Sequence, residues 1–125
     1  MTALIPVVVA GALGRMGAEV IRAVQGAEDC TLVGAIDNTP GKEGCDVGLE
    51  LGLGELEVAV TADFEGCLCA VSQSVRDAEA GAVLVDFTHP SVVYDHTRAS
   101  IAYGVHPVIG TTGLSPQQLD DLTQF

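Results

Sequence analysis

Three glycines spaced three residues apart, Gly11, Gly14 and Gly17, enclose Arg15, and twenty residues beyond Gly17 stands the carboxylate of Asp37. Glycines so placed let a backbone turn sharply and approach an anion closely, and an acid at that distance can hold a ribose diol. The chemistry these residues point to is the binding of a dinucleotide. A strand, a tight turn, a helix and a second strand must then position them. Ile5 to Ala10 is an apolar run without polar alternation, which suits a strand covered on both faces. Gly11 suits the turn because it takes positive φ without a Cβ clash. Gly14 suits close approach of a pyrophosphate, and Gly17 suits tight packing of helix on sheet. The first N–H groups of the helix and its positive dipole end face the phosphates in such an arrangement, with Arg15 as a further positive contact.

The helix is expected from Gly14 to about Gln25, with Met16, Val20, Ile21 and Val24 on one face. The glycine spacing departs from the common fingerprint, falling at positions one, four and seven instead of one, three and six. For the glycines alone, a simple tight turn is the plain alternative. For Asp37 it is a helix cap or turn former.

The remaining elements alternate. Strands are expected at 31–36, 56–60, 82–86 and 106–109, and helices at 64–80 and 91–103. The glycine-rich segment 38–57 reads as a loop with one helical turn near Asp46 to Leu51. Val92, Val93, His96, Ala99 and Tyr103 fall along one face of the helix that Gly104 stops. Ser115 and Pro116 mark the start of another helix. The fold class is α/β, a doubly wound parallel sheet of Rossmann-like type in a single domain. The helical stripe Leu119, Leu122, Phe125 breaks off in mid-pattern, so the expectation is a piece of a longer protein.

Two polar loops follow strand ends: Asp86-Phe87-Thr88-His89-Pro90 and Gly110-Thr111-Thr112-Gly113. Ligands of open α/β sheets bind beyond the carboxyl ends of the strands, so both loops share a rim with Gly11 to Gly17. Thr111 and Thr112 offer hydroxyl and N–H groups suited to a carboxamide or carboxylate. The plain alternative is that these threonines and Asp86 cap helices.

Composition sets bounds. Seventeen acids against five bases give a net charge of −12, which repels a nucleic-acid backbone, so no nucleic-acid partner is expected. No apolar run approaches the roughly 20 residues of a membrane span, so no membrane partner is expected either. No signal peptide is visible, which makes the cytoplasm, or an organelle stroma, the expected location. Cys30, Cys45, Cys67 and Cys69 lack metal or redox spacing, and the three histidines do not complete a site, so no metal is expected. His96 and Asp95 are adjacent on a helix and point apart, which argues against a catalytic dyad between them.

Taken together, residues 11–17, the stretch Val85-Asp86-Phe87-Thr88-His89-Pro90 and the stretch Val108-Ile109-Gly110-Thr111-Thr112-Gly113 resemble, in order and spacing, the amino-terminal domain of the dihydrodipicolinate reductases. The resemblance runs from about Ile5 to Phe125 and looks most like cyanobacterial members. It implies that Gly11, Gly14, Arg15 and Met16 cradle the pyrophosphate and adjoining ribose of NADH or NADPH. It implies that Asp37 binds the adenosine ribose, that Phe87 and Thr88 line the nicotinamide side, and that Gly110 and Thr112 contact the carboxamide. Thr112 would also reach a substrate carboxylate. The activity implied is reduction of a cyclic imine-type intermediate on the diaminopimelate route to lysine, by a full-length homotetramer.

Two departures shape these expectations. Many members carry arginine after the ribose-binding acid, whereas this chain has Asn38. Asp37 repels a 2′-phosphate, so NADH should bind at least as well as NADPH, while Lys42 in the following loop leaves dual use open. The family's substrate domain, with its His-His and Lys-bearing loop, has no counterpart up to Phe125. The expectation is therefore a domain 1–125 that binds cofactor without catalytic residues of its own and meets a small-molecule substrate only with that further domain. Alternative readings are the first domain of another NAD(P)-dependent reductase, or a non-catalytic domain used for assembly or regulation.

Overall fold

The β-branched run IPVVVA forms the central strand of the computed structural model, which describes residues 4–74, 81–88 and 90–109. This strand, β1 (Ile5–Ala10), lies between β2 (Cys30–Ile36) and β4 (Val83–Asp86), with β3 (Val60–Thr61) and β5 (His106–Ile109) at the edges. All pairings are parallel and the strand order is β3-β2-β1-β4-β5. The helices are α1 (Arg15–Gly26), α2 (Val47–Glu50), α3 (Phe64–Ser74) and α4 (Pro90–Ala102).

Alternation along β1 divides the core in two. Val7 and Val9 pack with Ile21 and Val24 of α1 and Val47 of α2. Val8 and Ala10 pack with Leu68 and Val71 of α3, joined by Ala99 and Tyr103 near the end of α4. Both faces of the sheet are thus covered, which explains why β1 reads as an unbroken apolar run. Burying one such valine or isoleucine stabilises the fold by about 1.5–3 kcal/mol relative to exposure.

Two expectations need correction. The third strand is confined to Val60–Thr61, not 56–60. Glu57 has φ +59, which an extended strand cannot use, and the N–H groups of Leu56 and Val58 donate to the Asp46 carboxylate at 3.0 and 3.1 Å. The buried face of α1 consists of Gly17, Ala18, Ile21 and Val24, while Met16 is 55% exposed. The small residues let α1 lie close to the turn, and this rotates Met16 outward. The helix expected from Phe64 ends at Ser74 within the described residues, and the one expected at Ser115 lies outside them.

The strand order reverses direction between β1 and β4, both of which are followed by connections carrying expected site residues. Such a switch point opens a crevice at the carboxyl end of the sheet. The strand ends around it are stitched to one another. Asp37 N donates to Thr61 O at 3.0 Å, Gly11 N to Ile36 O at 2.8 Å, and Phe87 N to Ala10 O at 3.0 Å.

Candidate functional site

Gly11 turns the chain at the end of β1 with φ +81. A Cβ there would lie 3.1 Å from the carbonyl oxygen of Phe87, so the loops after β1 and β4 come together at this residue. Gly17 is tighter, since its Cβ would fall 2.0 Å from Gly11 O. Around Gly14 only Gly11 O, at 3.3 Å, lies within 4 Å of the position a Cβ would take. Gly14 caps α1 without a side-chain hydrogen bond. The N–H groups of Arg15, Met16 and Gly17 lie in the first turn, where an α-helix has no carbonyl of its own to offer. Arg15 and Met16 are both exposed there. The turn therefore presents unpaired donors, a dipole end and one cation on a surface clear of side chains, and these fit an anionic diphosphate.

Asp37, just past β2, is tied into the same unit. Its Oδ2 accepts from Leu13 N at 2.9 Å, and its Oδ1 accepts from Thr39 N at 2.9 Å and from the Thr39 hydroxyl. Oδ1 is filled by the two bonds from Thr39, while Oδ2 keeps one acceptor site beyond its bond from Leu13 N, so the carboxylate is oriented and still able to accept from a ribose hydroxyl. Asn38 is exposed beside it. Lys42, the cation nearest in sequence, is engaged elsewhere, with Nζ 2.8 Å from Glu50 Oε2. That bond and the charge of Glu50 hold the Lys42 ammonium pKa above its usual value.

The loop between β2 and β3 is organised by Asp46. Its carboxylate caps α2 through Leu49 N at 3.1 Å and also accepts from Leu56 N and Val58 N. The bond from Leu56 N leads the causes that hold its pKa below the ordinary carboxylate range, against some desolvation.

A cleft of about 380 Å³ opens at these loops, lined by Gly11, Asp37 and Asn38 from the segments after β1 and β2 and by Thr88, Val92 and His96 from the segment after β4 and from α4. Ile36, Ala62 and Phe64 complete its wall. Asp86, at the end of β4, is fully buried beneath it. Its Oδ1 accepts from Thr88 N at 2.9 Å and from the Thr88 hydroxyl, and its Oδ2 lies 3.1 Å from His96 Nδ1. Burial pushes the Asp86 carboxyl up, but the bonds from His96 and Thr88 outweigh it and hold the pKa below the usual value. The His96 ring stacks on Phe64 with centroids 3.9 Å apart and planes 10° from parallel.

The structure thus brings Gly11, Asp37 and Thr88 to one cleft, with Gly14, Arg15 and Met16 in the turn that follows Gly11. Phe87 contributes its backbone to the approach against Gly11. Gly110, Thr111 and Thr112 lie outside the described residues. Sequence reasoning did not place Ile36, Ala62, Phe64, Val92 or His96 at the cleft, and while it set aside a dyad of His96 with Asp95 it did not foresee the pairing of His96 with Asp86. The available signal was His96 standing four residues after Val92 on one face of α4, which here faces the cleft. Among the described residues, no group of His, Cys, Asp and Glu could hold a metal ion.

Comparison with known proteins follows the same outline. Residues 5–125 match the family model described as "Dihydrodipicolinate reductase, N-terminus". A curated 4-hydroxy-tetrahydrodipicolinate reductase from Synechococcus sp. (strain CC9605) is 90% identical over 125 residues, which is 100% of this chain and 45% of that protein. The chain therefore spans about half the length of the curated relatives it matches. Among solved structures, a dipicolinate-bound dihydrodipicolinate reductase from Paenisporosarcina sp. TG-14 superposes with TM-score 0.70 at 28% identity, covering 97% of this chain and 42% of its own. The WlbA dehydrogenase from Thermus thermophilus, in complex with NAD and UDP-GlcNAcA, shares the fold with TM-score 0.74 at 17% identity, over 97% of this chain and 38% of its own.

Proposed function

The chain belongs to the dihydrodipicolinate reductase amino-terminal family, and from that premise we propose that it is the NADH- or NADPH-binding domain of a 4-hydroxy-tetrahydrodipicolinate reductase. When bound, the cofactor supplies the hydride that reduces a cyclic imine-type intermediate on the diaminopimelate route to lysine. The further length found in the relatives provides the catalytic residues and the substrate contacts, and the full-length form is a homotetramer of the cytoplasm. Neither nucleic acid nor membrane is a partner. Among the described residues no helix is long and apolar enough to cross a membrane.

The observation that carries this reading is the bond from Leu13 N to Asp37 Oδ2 at 2.9 Å. It joins the glycine turn and the acid after β2 into one cradle beside the cleft. Gly11, Gly14, Arg15 and Met16 hold the pyrophosphate and adjoining ribose, and Asp37 holds the adenosine ribose. Phe87 and Thr88 line the path toward the nicotinamide, whose carboxamide meets Gly110, Thr111 and Thr112. NADH binds at least as tightly as NADPH, because Asp37 repels a 2′-phosphate and Lys42 is neutralised by Glu50.

Calorimetric titration of the chain with NADH and with NADPH tests the reading. Saturable binding, tighter or equal for NADH, is expected. No heat with either cofactor from a sample that circular dichroism shows to be folded overturns it. Binding left unchanged by both Arg15→Ala and Asp37→Ala would instead favour a domain used for assembly.

A further inference from the structure

The pairing of Asp86 with His96 determines what the imidazole can offer the cleft. An ionised carboxylate only accepts hydrogen bonds, so Nδ1, 3.1 Å from Asp86 Oδ2, carries a proton. The Thr88 hydroxyl agrees with this assignment. Its proton is committed to Asp86 Oδ1, so at 3.3 Å from Nδ1 it can only accept. In the neutral ring Nε2 is then a bare acceptor. Among the described residues Nε2 has no hydrogen-bond partner, and no polar side-chain atom there is both buried and unsatisfied. The ring lines the cleft and is locked in plane by Phe64.

Asp37 lines the same cleft. A base attached to the ribose it holds has the apolar wall of Ile36, Ala62, Phe64 and Val92 within reach. Purines differ along the C6–N1 edge, where adenine presents an amino donor and a bare N1, and hypoxanthine a carbonyl acceptor and an N1–H. Resting on the function proposed above, we infer that His96 is a base-specificity residue: its Nε2 accepts a hydrogen bond from the C6 amino group of adenine, and Asp86 is the positioning residue that fixes the tautomer.

The test compares two ligands identical except along the C6–N1 edge of the base, NADH and reduced nicotinamide hypoxanthine dinucleotide, by calorimetry on the chain. One lost bond between neutral groups, with two acceptors left facing each other, corresponds to a preference for NADH of about ten-fold. Equal affinity for both overturns the inference and leaves the proposed function standing, whereas no binding of either overturns both. His96→Asn retains a donor near the Nδ1 position for Asp86 and ends short of Nε2. It should bind the two ligands within about two-fold of each other, losing affinity for NADH alone. Full discrimination persisting in the folded variant overturns the inference, because a merely structural role for His96 weakens both ligands alike. A preference for NADH in the wild-type chain is attributed to His96 by its collapse in the folded variant.

Discussion

A Cβ on Gly17 would lie 2.0 Å from the carbonyl oxygen of Gly11, so the third glycine of the turn is in contact with the first. Alanine cannot be placed there unless backbone moves, because the obstructing atom is not the end of a flexible side chain. Gly17→Ala should cost about 2 kcal/mol of stability and at least ten-fold in NADH affinity, read by urea unfolding and calorimetry. Gly14→Ala meets only one atom, at 3.3 Å. It should lower the unfolding midpoint much less than Gly17→Ala does while weakening NADH binding, since its methyl group intrudes where a phosphate must approach. Equal destabilisation by the two substitutions would contradict the division of labour between these glycines.

Cofactor choice should follow Asp37 and its neighbours. Asp37→Asn keeps an oxygen for Leu13 N but removes the charge that repels a 2′-phosphate. The ratio of NADPH to NADH affinity should rise by about ten-fold, the equivalent of 1.4 kcal/mol. Adding Glu50→Gln releases Lys42 from its 2.8 Å ion pair, and the ratio should rise further. Calorimetry with both cofactors on the single and double variants reads this directly. An unchanged ratio in the double variant would show that Asp37 does not select the cofactor.

Much of this arrangement was legible in the sequence, and the exceptions have physical causes. β1 falls where expected because an apolar run ending at Gly11 leaves few other registers, and β5 because its short segment is set between Gly104 and Gly110. The strand expected at 56–60 shrank because Asp46, ten residues away, takes the N–H groups of Leu56 and Val58 away from any ladder. Met16 is helical as expected but faces outward, because Gly17 and Ala18 set the closest approach of α1 and turn the helix about that line. The pairing of Asp86 with His96 joins a strand end to the second turn of the next helix. No short-range periodicity records that contact. It becomes visible only when β4 and α4 are placed on the same side of the cleft.

The buried carboxylate of Asp86 makes acid stability a second readout of the site. Burial opposes its ionisation, yet the bonds from His96 and Thr88 leave its folded-state pKa below the ordinary value. A group depressed on folding stabilises above its unfolded pKa of about 3.9, and that contribution is lost as pH falls through the lower folded value. Stability of the wild-type chain should therefore decline from about pH 4 downward. Asp86→Asn should be less stable at neutral pH, with a flatter acid limb. Urea midpoints from pH 6 to pH 2.5 for both proteins provide the measurement, and parallel curves would exclude a contribution from this carboxylate.

Asp46 does for the loop between β2 and β3 what no apolar contact does, since its carboxylate gathers N–H groups from Leu49, Leu56 and Val58. Gly44 N and Val60 N add bonds to Val60 O and Cys45 O, at 2.8 Å each, which tie this loop to β3. Removing the hub should open the loop without unfolding the sheet, because the core clusters draw on it only through Val47 and a few partly buried neighbours. Asp46→Ala should accelerate amide hydrogen exchange at Leu49, Leu56 and Val58, leave β1 and β4 protected, and weaken NADH binding by only a few-fold. Asp46→Asn, with a single acceptor oxygen, should restore part of the protection. Loss of protection across β1 in Asp46→Ala would instead make this carboxylate a condition of the whole fold.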